Sequence, residues 1–134
     1  MVNQKILLIE DDSTLAGALS QGLKDAGFDV ITAMDGESGF NAAVEQKPAL
    51  IVLDEILPKL EGLEVHKRLQ AEESIRNIPV IMLTNVEDPR KVSQALEQGL
   101  KDYFIKADWS MADIVKKIKE KLAVSDKDQK SSVK

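Results

Sequence analysis

The sequence predicts an α/β fold in which helices cover both faces of a parallel β-sheet. Short, almost continuously apolar stretches alternate with longer amphipathic stretches, and this pair occurs five times along the chain. Apolar strands joined by helices are typical of parallel sheets, because both faces of such a sheet are buried. The length of 134 residues, of which 43% are hydrophobic and 31% charged, fits a single domain with its own core.

The first two strand–helix units occupy the amino-terminal third of the chain. A strand is expected at residues 5–10, where the run KILLIE is bounded by charge. A helix is expected at 13–27, because leucine and alanine recur at helical spacing and a glycine closes the pattern. Residues 28–33 alternate like a strand, and residues 35–46 read as a helix with Asp35 as its N-cap.

The third and fourth units follow the same order. The run LIVL at 50–53 predicts a short buried strand, and the amphipathic stretch at 62–73 predicts the next helix. The run IPVIMLT at 78–84 predicts the fourth strand. Residues 88–99 open with Asp-Pro and close with Gly, which are typical start and stop signals of a helix.

The fifth unit completes the predicted domain. The run KDYFIK at 101–106 predicts a strand, and residues 110–124 predict a helix in which Ser110 begins a capping box. The segment that follows is polar, with one apolar residue. We therefore expect a domain over residues 1–124 and a disordered polar tail over 125–134.

Composition argues against several kinds of protein. The absence of cysteine excludes disulfides and thiolate chemistry, and it fits a reducing cytoplasm. No apolar run approaches the ~20 residues that span a membrane, and the amino terminus lacks a signal-peptide layout. The formal charge of −5 disfavours direct binding to nucleic acid, since phosphates repel it. We expect a cytoplasmic protein that binds neither nucleic acid nor membrane, with no room for a DNA-binding domain.

Acidic residues follow the strands on which a ligand site is expected. Ligands of open parallel sheets bind outside the carboxyl ends of the strands. Glu10 and Asp11 end the first strand and Asp54 ends the third, so neighbouring strands would bring three carboxylates into one cleft. Their repulsion is relieved by a divalent cation, and oxygen ligands without cysteine or a nearby histidine favour Mg²⁺. The one histidine, His66, is expected on the surface of the third helix.

These residues suit phosphoryl transfer. A carboxylate such as Asp54 can attack a phosphoryl group and form an acyl phosphate. Lys106 ends the fifth strand and would add positive charge, while Thr84 ends the fourth strand and would add a hydroxyl hydrogen bond. Read singly, each residue also has a structural explanation as a cap or a surface side chain. Their joint position at one end of the sheet favours a phosphoryl-transfer site over these separate structural explanations.

The motifs that carry this chemistry resemble the receiver domains of two-component response regulators. They are ILLIEDDS, IVLDEILPKLEG, PVIMLTN and KDYFIK, in that order, and the resemblance extends over residues 4–123. The resemblance implies a doubly wound, flavodoxin-like sheet of five strands in the order 2-1-3-4-5. It also implies that Asp54 accepts the phosphoryl group, and that Glu10, Asp11, Asp54 and the backbone carbonyl of Ile56 bind Mg²⁺.

The resemblance also implies a switch. Thr84 and Lys106 would be drawn toward the acyl phosphate, and Tyr103 would report the change to the outer surface. Phosphate would come from a histidine kinase or a histidine phosphotransfer protein. Output would go to a downstream protein partner, or to a homodimer formed through the surface of the fourth helix, fifth strand and fifth helix.

The chain departs from the family pattern at three positions. Ala107 replaces the proline that usually follows the lysine, so we expect a trans peptide bond or a changed loop there. Asn85 is larger than the residue usual after the threonine. Ile56 places an apolar side chain near the site, which predicts a long-lived phosphoryl group, because it does not orient an attacking water.

Two other classes of function remain open from the sequence. One is a phosphorylation-independent protein-binding module that keeps the receiver fold. The other is a small-molecule enzyme or flavin carrier on the same fold, which the absence of a glycine-rich phosphate loop disfavours. A receiver cut from a longer regulator is a further possibility.

Overall fold

Five parallel strands form the centre of the computed structural model, which describes residues 4–85 and 88–133, with side chains as far as residue 123. The strands are β1 Lys5–Ile9, β2 Asp29–Ala33, β3 Leu50–Leu53, β4 Val80–Thr84 and β5 Asp102–Ile105. Their order in the sheet is β2-β1-β3-β4-β5. This topology confirms the predicted doubly wound, flavodoxin-like sheet, and each strand lies within its predicted range.

Helices cover both faces of the sheet. They are α1 Ser13–Asp25, α2 Gly36–Gln46, α3 Gly62–Ala71, α4 Pro89–Glu97 and α5 Met111–Val133. α1 and α5 pack on one face, where the inward residues of the strands include Ile6, Leu8, Val52 and Ile81. α2, α3 and α4 pack on the opposite face, against residues that include Leu7, Ile9, Leu53 and Met82. Successive strand residues point to opposite faces, so an almost continuous apolar run fills both cores.

Side-chain caps begin α1, α2 and α5, and the caps of α2 and α5 are the ones that the sequence predicts. The Asp12 carboxylate accepts hydrogen bonds from the N–H groups of Thr14 and Leu15, and Asp35 accepts one from the N–H of Ser38. Ser110 and Asp113 form the predicted capping box, since each side chain accepts a hydrogen bond from the other residue's N–H. These local bonds satisfy N–H groups that a helix leaves without partners in its first turn.

The register of the strands brings their carboxyl ends to one edge of the sheet. Ile9 in β1 lies opposite Leu53 in β3, so the next residues, Glu10 and Asp54, become neighbours. Thr84 in β4 lies opposite Ile105 in β5, so Lys106 leaves the sheet beside it. The backbone of the loops continues this pairing, because the N–H of Asp54 donates to the carbonyl of Ile9 at 3.1 Å.

The last helix is longer than predicted. α5 continues to Val133, so the backbone of 125–133 is helical where the sequence led us to expect disorder. The physical reason is that the chain contains no glycine or proline after residue 110 to interrupt a helix. Residues 1–3 and 134 of the predicted bounds lie outside the described residues.

His66 is buried, and the expectation of a surface position was wrong. Only 2% of the residue is exposed, and its Nδ1 lies 3.2 Å from Oε1 of Gln98, beyond the end of α4. His66 follows the core residue Val65 in α3, and the Gln98 contact gives its ring a polar partner inside the fold. Burial lowers the pKa of His66 below its ordinary 6.5, and the hydrogen bond with Gln98 opposes this only in part.

We expect the burial of His66 to make the fold less stable in mild acid. The unfolded chain takes up a proton near the ordinary pKa, whereas the folded chain resists it, so stability falls as the pH drops below that value. His66→Gln should therefore lose less stability than the parent between about pH 7.5 and about pH 5.5 in urea unfolding. Identical pH profiles for the two proteins would contradict this expectation. Other acids of the chain titrate equally in both, so the comparison isolates the histidine.

A second prediction concerns the glycine that begins α3. A Cβ on Gly62 would press against the carbonyl oxygen of Asp54 and the Cα of Glu55, both of which are backbone atoms. Gly62→Ala should therefore lower the free energy of unfolding by about 1–3 kcal/mol, as expected for overpacking. Gly17→Ala is the matched control, because its added Cβ would meet no atom within 4 Å beyond its chain neighbours and the backbone of its own helix. This control should gain about 0.5–1 kcal/mol from helix propensity, and equal stabilities in urea would refute the packing argument.

Candidate functional site

A cavity of about 200 Å³ opens at the carboxyl edge of the sheet. The residues that line it are Glu10, Asp11, Asp12, Asp54, Ile56, Thr84, Asn85 and Lys106. Every predicted site residue except Tyr103 is therefore brought together here. The cavity lies where the ends of four strands converge, as expected for a ligand site in an open parallel sheet.

Lys106 joins the two buried acids of the cavity. Its Nζ lies 2.6 Å from Oε1 of Glu10 and 2.9 Å from Oδ2 of Asp54. Glu10 is 3% exposed and Asp54 6% exposed, so both pairs are shielded from solvent. The sequence placed Lys106 near Asp54, but it did not indicate that one ammonium group would bridge both carboxylates.

The electrostatic cost of burying these groups appears in their pKa values. Burial raises the pKa of the Glu10 carboxyl to about 7, and the charge of Asp54 adds to this effect, while the hydrogen bond with Lys106 opposes it. Burial alone would lower the pKa of Lys106, but its hydrogen bonds to Glu10 and Asp54 hold the pKa above its ordinary value. The ammonium group is thus kept charged by the acids that it neutralises.

The donor set of the cavity fits a hard divalent cation. Glu10, Asp11 and Asp54 offer carboxylate oxygens that all lie within 4.8 Å of one another. When all three carboxyl groups are ionised, Lys106 offsets one of the three negative charges, which leaves a formal charge of −2. Oxygen donors and a residual charge of this size match Mg²⁺ rather than a metal that prefers nitrogen or sulfur ligands.

Asp54 is placed so that it can react with an incoming group. Its Oδ1 accepts a hydrogen bond from the N–H of Ile56 at 3.3 Å, and its Oδ2 pairs with Lys106. Ile56 is 63% exposed and lines the cavity, so the mouth of the cavity is partly apolar. A carboxylate held in this way can act as a nucleophile, because its orientation is fixed before a reactant arrives.

The peptide bond after Lys106 has the ordinary geometry. No cis peptide bond occurs among the described residues, so Lys106 and Ala107 are joined in trans, as the sequence predicts without a proline. Residues Lys106–Asp108 form a single 3₁₀ turn that leads from β5 toward α5. This turn is compatible with the lysine reaching both acids of the cavity.

Tyr103 lies outside the cavity and contacts a residue that the sequence analysis did not single out. Its hydroxyl donates a hydrogen bond of 2.5 Å to Oε2 of Glu55, which is 4% exposed. Burial, followed by the hydrogen bond to Glu55, raises the pKa of the Tyr103 hydroxyl. The sequence does contain a signal for this contact. Glu55 stands between Asp54 and the apolar pair Ile56 and Leu57, and a charge that is buried there is costly unless another side chain pairs with it.

Comparison with known proteins identifies a family for almost the whole chain. A family model described as the response regulator receiver domain matches residues 6–119. The alkaline phosphatase synthesis transcriptional regulatory protein PhoP of Bacillus subtilis (strain 168) is 41% identical over 105 residues. The match covers 78% of this chain and 43% of that protein. The chain thus spans about half the length of the curated relatives that it matches.

Solved structures show the same fold. The crystal structure of a CheY-like response regulator receiver domain protein from Methanospirillum hungatei JF-1 superposes with a TM-score of 0.87 at 25% identity. That comparison covers 95% of this chain and 99% of the other. The phosphorylated cyanobacterial phytochrome response regulator RcpA superposes with a TM-score of 0.77 at 25% identity, over 89% of this chain and 93% of that one. The sheet order, the acidic cavity and these matches agree, and the chain belongs to the receiver domains of response regulators.

Proposed function

We propose that this receiver takes a phosphoryl group from a phosphohistidine onto Asp54. The observation that carries the proposal is the position of Asp54, which is buried at the base of an acidic cavity with the Nζ of Lys106 at 2.9 Å. A structural role alone does not require three carboxylates to share one cavity. Phosphoryl transfer does use such a cluster, because the reaction depends on positioning and on balanced charge.

The transfer balances as a single displacement. An oxygen of the Asp54 carboxylate attacks phosphorus, and a P–O bond forms while the P–N bond of phosphohistidine breaks. The leaving imidazole nitrogen keeps the electron pair and takes a proton from solvent. Lys106 then pairs with an oxygen of the new phosphoryl group, and the Thr84 hydroxyl donates a hydrogen bond to another. The receiver promotes its own modification and slowly reverses it, without being an enzyme in the ordinary sense.

Glu10, Asp11, Asp54 and the backbone carbonyl of Ile56 are the groups that would hold Mg²⁺. When bound, the ion supplies positive charge that offsets the charge of the phosphoryl oxygens. Support comes from the oxygen-only donor set and its residual negative charge. Asp11 is the exposed member of the set, so it is the natural entry point for a cation from solvent.

The modified site would act on a protein surface. Thr84 and Lys106 move toward the phosphoryl group, and the surface formed by α4, β5 and α5 changes its preferred partners. A histidine kinase or histidine phosphotransfer protein is the proposed donor, and a downstream protein or a second copy of the receiver is the proposed recipient. The name of the Bacillus relative describes a transcriptional regulatory protein, and two other relatives are named as DNA-binding regulators. Attachment to a DNA-binding region in a longer regulator is therefore compatible with this proposal.

A cytoplasmic location is part of the proposal, because the proposed kinases and phosphotransfer proteins present phosphohistidine there. Among the described residues, no helix has both the length and the apolar character needed to cross a bilayer.

A phosphorylation-independent binding module is not favoured, since Asp54, Thr84 and Lys106 all line the cavity.

Incubation with a small phosphodonor tests the proposed reaction. The parent protein, given phosphoramidate and Mg²⁺, should gain the mass of one phosphoryl group, because Asp54 is held ready beside Lys106. Asp54→Ala should gain none, and Asp11→Asn should need far more Mg²⁺ to react. Intact-mass spectrometry provides the measurement. A parent that stays unmodified, or an Asp54→Ala variant that is modified equally, would exclude Asp54 as the acceptor.

The lifetime of the phosphoryl group provides an independent prediction. The exposed Ile56 side chain at the cavity rim cannot hydrogen-bond an attacking water, so the acyl phosphate should decay slowly. Ile56→Asn should decay about 2- to 10-fold faster, the effect of one hydrogen bond worth about 0.5–1.5 kcal/mol. Ile56→Leu is the matched control and should decay like the parent. If Ile56→Asn is no faster than Ile56→Leu, Ile56 does not control the lifetime.

A further inference from the structure

Glu55 occupies an unusual position for a charged residue. It follows Asp54 directly at the end of β3 and is 4% exposed, yet it does not line the acidic cavity. One of its oxygens, Oε2, accepts the hydrogen bond from the Tyr103 hydroxyl. The other, Oε1, has no hydrogen-bond partner among the described residues. The Tyr103 hydroxyl is therefore the main group that compensates the burial of this carboxylate.

The hydrogen bond fixes the direction in which the tyrosine lies. Tyr103 sits in β5 opposite Met82 of β4, whereas Glu55 follows β3 on the far side of β4. To reach Glu55, the Tyr103 side chain must extend inward across the end of β4. Its ring is half-buried and packs against the core cluster beneath α2, α3 and α4. A tyrosine turned out to solvent could not make this contact.

The hydrogen bond from Tyr103 to Glu55 is stronger than a typical hydrogen bond between side chains. A hydrogen bond to an ionised acceptor is stronger than one between neutral groups, and a buried carboxylate that loses its donor pays the full cost of desolvation. Turning Tyr103 outward would leave Glu55 buried without a described donor. The inward position is therefore preferred even while Asp54 carries no phosphoryl group.

We propose that Glu55 is a positioning residue that holds Tyr103 against the core before Asp54 is modified. The inference rests on the proposed function, because it revises the role expected of Tyr103 in the switch: a tyrosine that Glu55 already holds inward does not itself report the state of Asp54. In this receiver the tyrosine is set in advance by a neighbouring carboxylate. Phosphorylation then changes the cavity and the start of α4 while the position of Tyr103 changes little.

The protein contains a single tyrosine, so 3-fluorotyrosine labelling yields one fluorine resonance that reports Tyr103 alone. Broadening by a soluble gadolinium chelate measures how exposed the ring is. In the absence of a phosphodonor, Glu55→Leu should move the resonance and increase its broadening, since the ratio of inward to outward tyrosine falls about tenfold or more. Glu55→Gln keeps an acceptor without its charge and should lie between this variant and the parent. Glu64→Leu, which removes an exposed glutamate of α3, should match the parent.

The same samples are then given phosphoramidate and Mg²⁺. The parent resonance should stay in place, while that of Glu55→Leu should return toward the parent position. A Glu55→Leu resonance that coincides with the parent before phosphorylation overturns the proposal, as does a parent resonance that moves on phosphorylation as far as that of the variant. If Glu55→Leu does not fold, the comparison of Glu55→Gln with Glu64→Leu decides in the same way.

This design separates the two proposals. Intact mass reports whether Asp54 takes the phosphoryl group, irrespective of where the tyrosine lies. The donor-free fluorine comparison reports whether Glu55 holds Tyr103, irrespective of any phosphorylation. A merely structural role for Glu55 would change the unfolding midpoint but leave the exposure of the tyrosine ring unchanged.

Discussion

The burial of like charges at one edge of the sheet is the constraint on which the rest of the structure depends. Glu10 and Asp54 end adjacent strands, so the register that pairs Ile9 with Leu53 forces their carboxylates together. The repulsion is expensive in a shielded environment, and Lys106 relieves part of it by reaching both acids from β5. The Lys106 side chain therefore extends from the end of β5 toward β1 and β3, although β4 separates these strands from β5.

The same edge shows why a parallel sheet suits a chemical switch. The three central strands, β1, β3 and β4, are buried on both faces, so they form a rigid support for the loops at their carboxyl ends. The start of α3 lies so close to the Asp54 backbone that only a glycine fits at residue 62. A movement of the Asp54 backbone would therefore also displace the start of α3. Ile56 and Asp11 are exposed, so the mouth of the cavity is open to solvent.

Features set by neighbouring residues in the chain could be predicted, whereas features set by the reach of side chains could not. The strands, the caps at Asp35 and Ser110 and the gathering of acids follow from local pattern and from the rule that parallel strands end together. The burial of His66 depends on a partner 32 positions away, and that of Glu55 on a partner 48 positions away. Such pairings need the three-dimensional path of the chain, which periodicity does not supply.

The continuous helix after β5 has a mechanical consequence. Ile114, Ile118 and Leu122 anchor the first turns of α5 to the sheet, while the backbone of 124–133 continues the same helix. Those ten residues extend about 15 Å along the axis, at 1.5 Å per residue. A tilt of roughly 10° at the anchored turns would sweep the far end through about 2–3 Å, because a helix without breaks behaves as a stiff lever. A small change in the direction of α5 near β5 therefore produces a larger displacement at the far end of the helix.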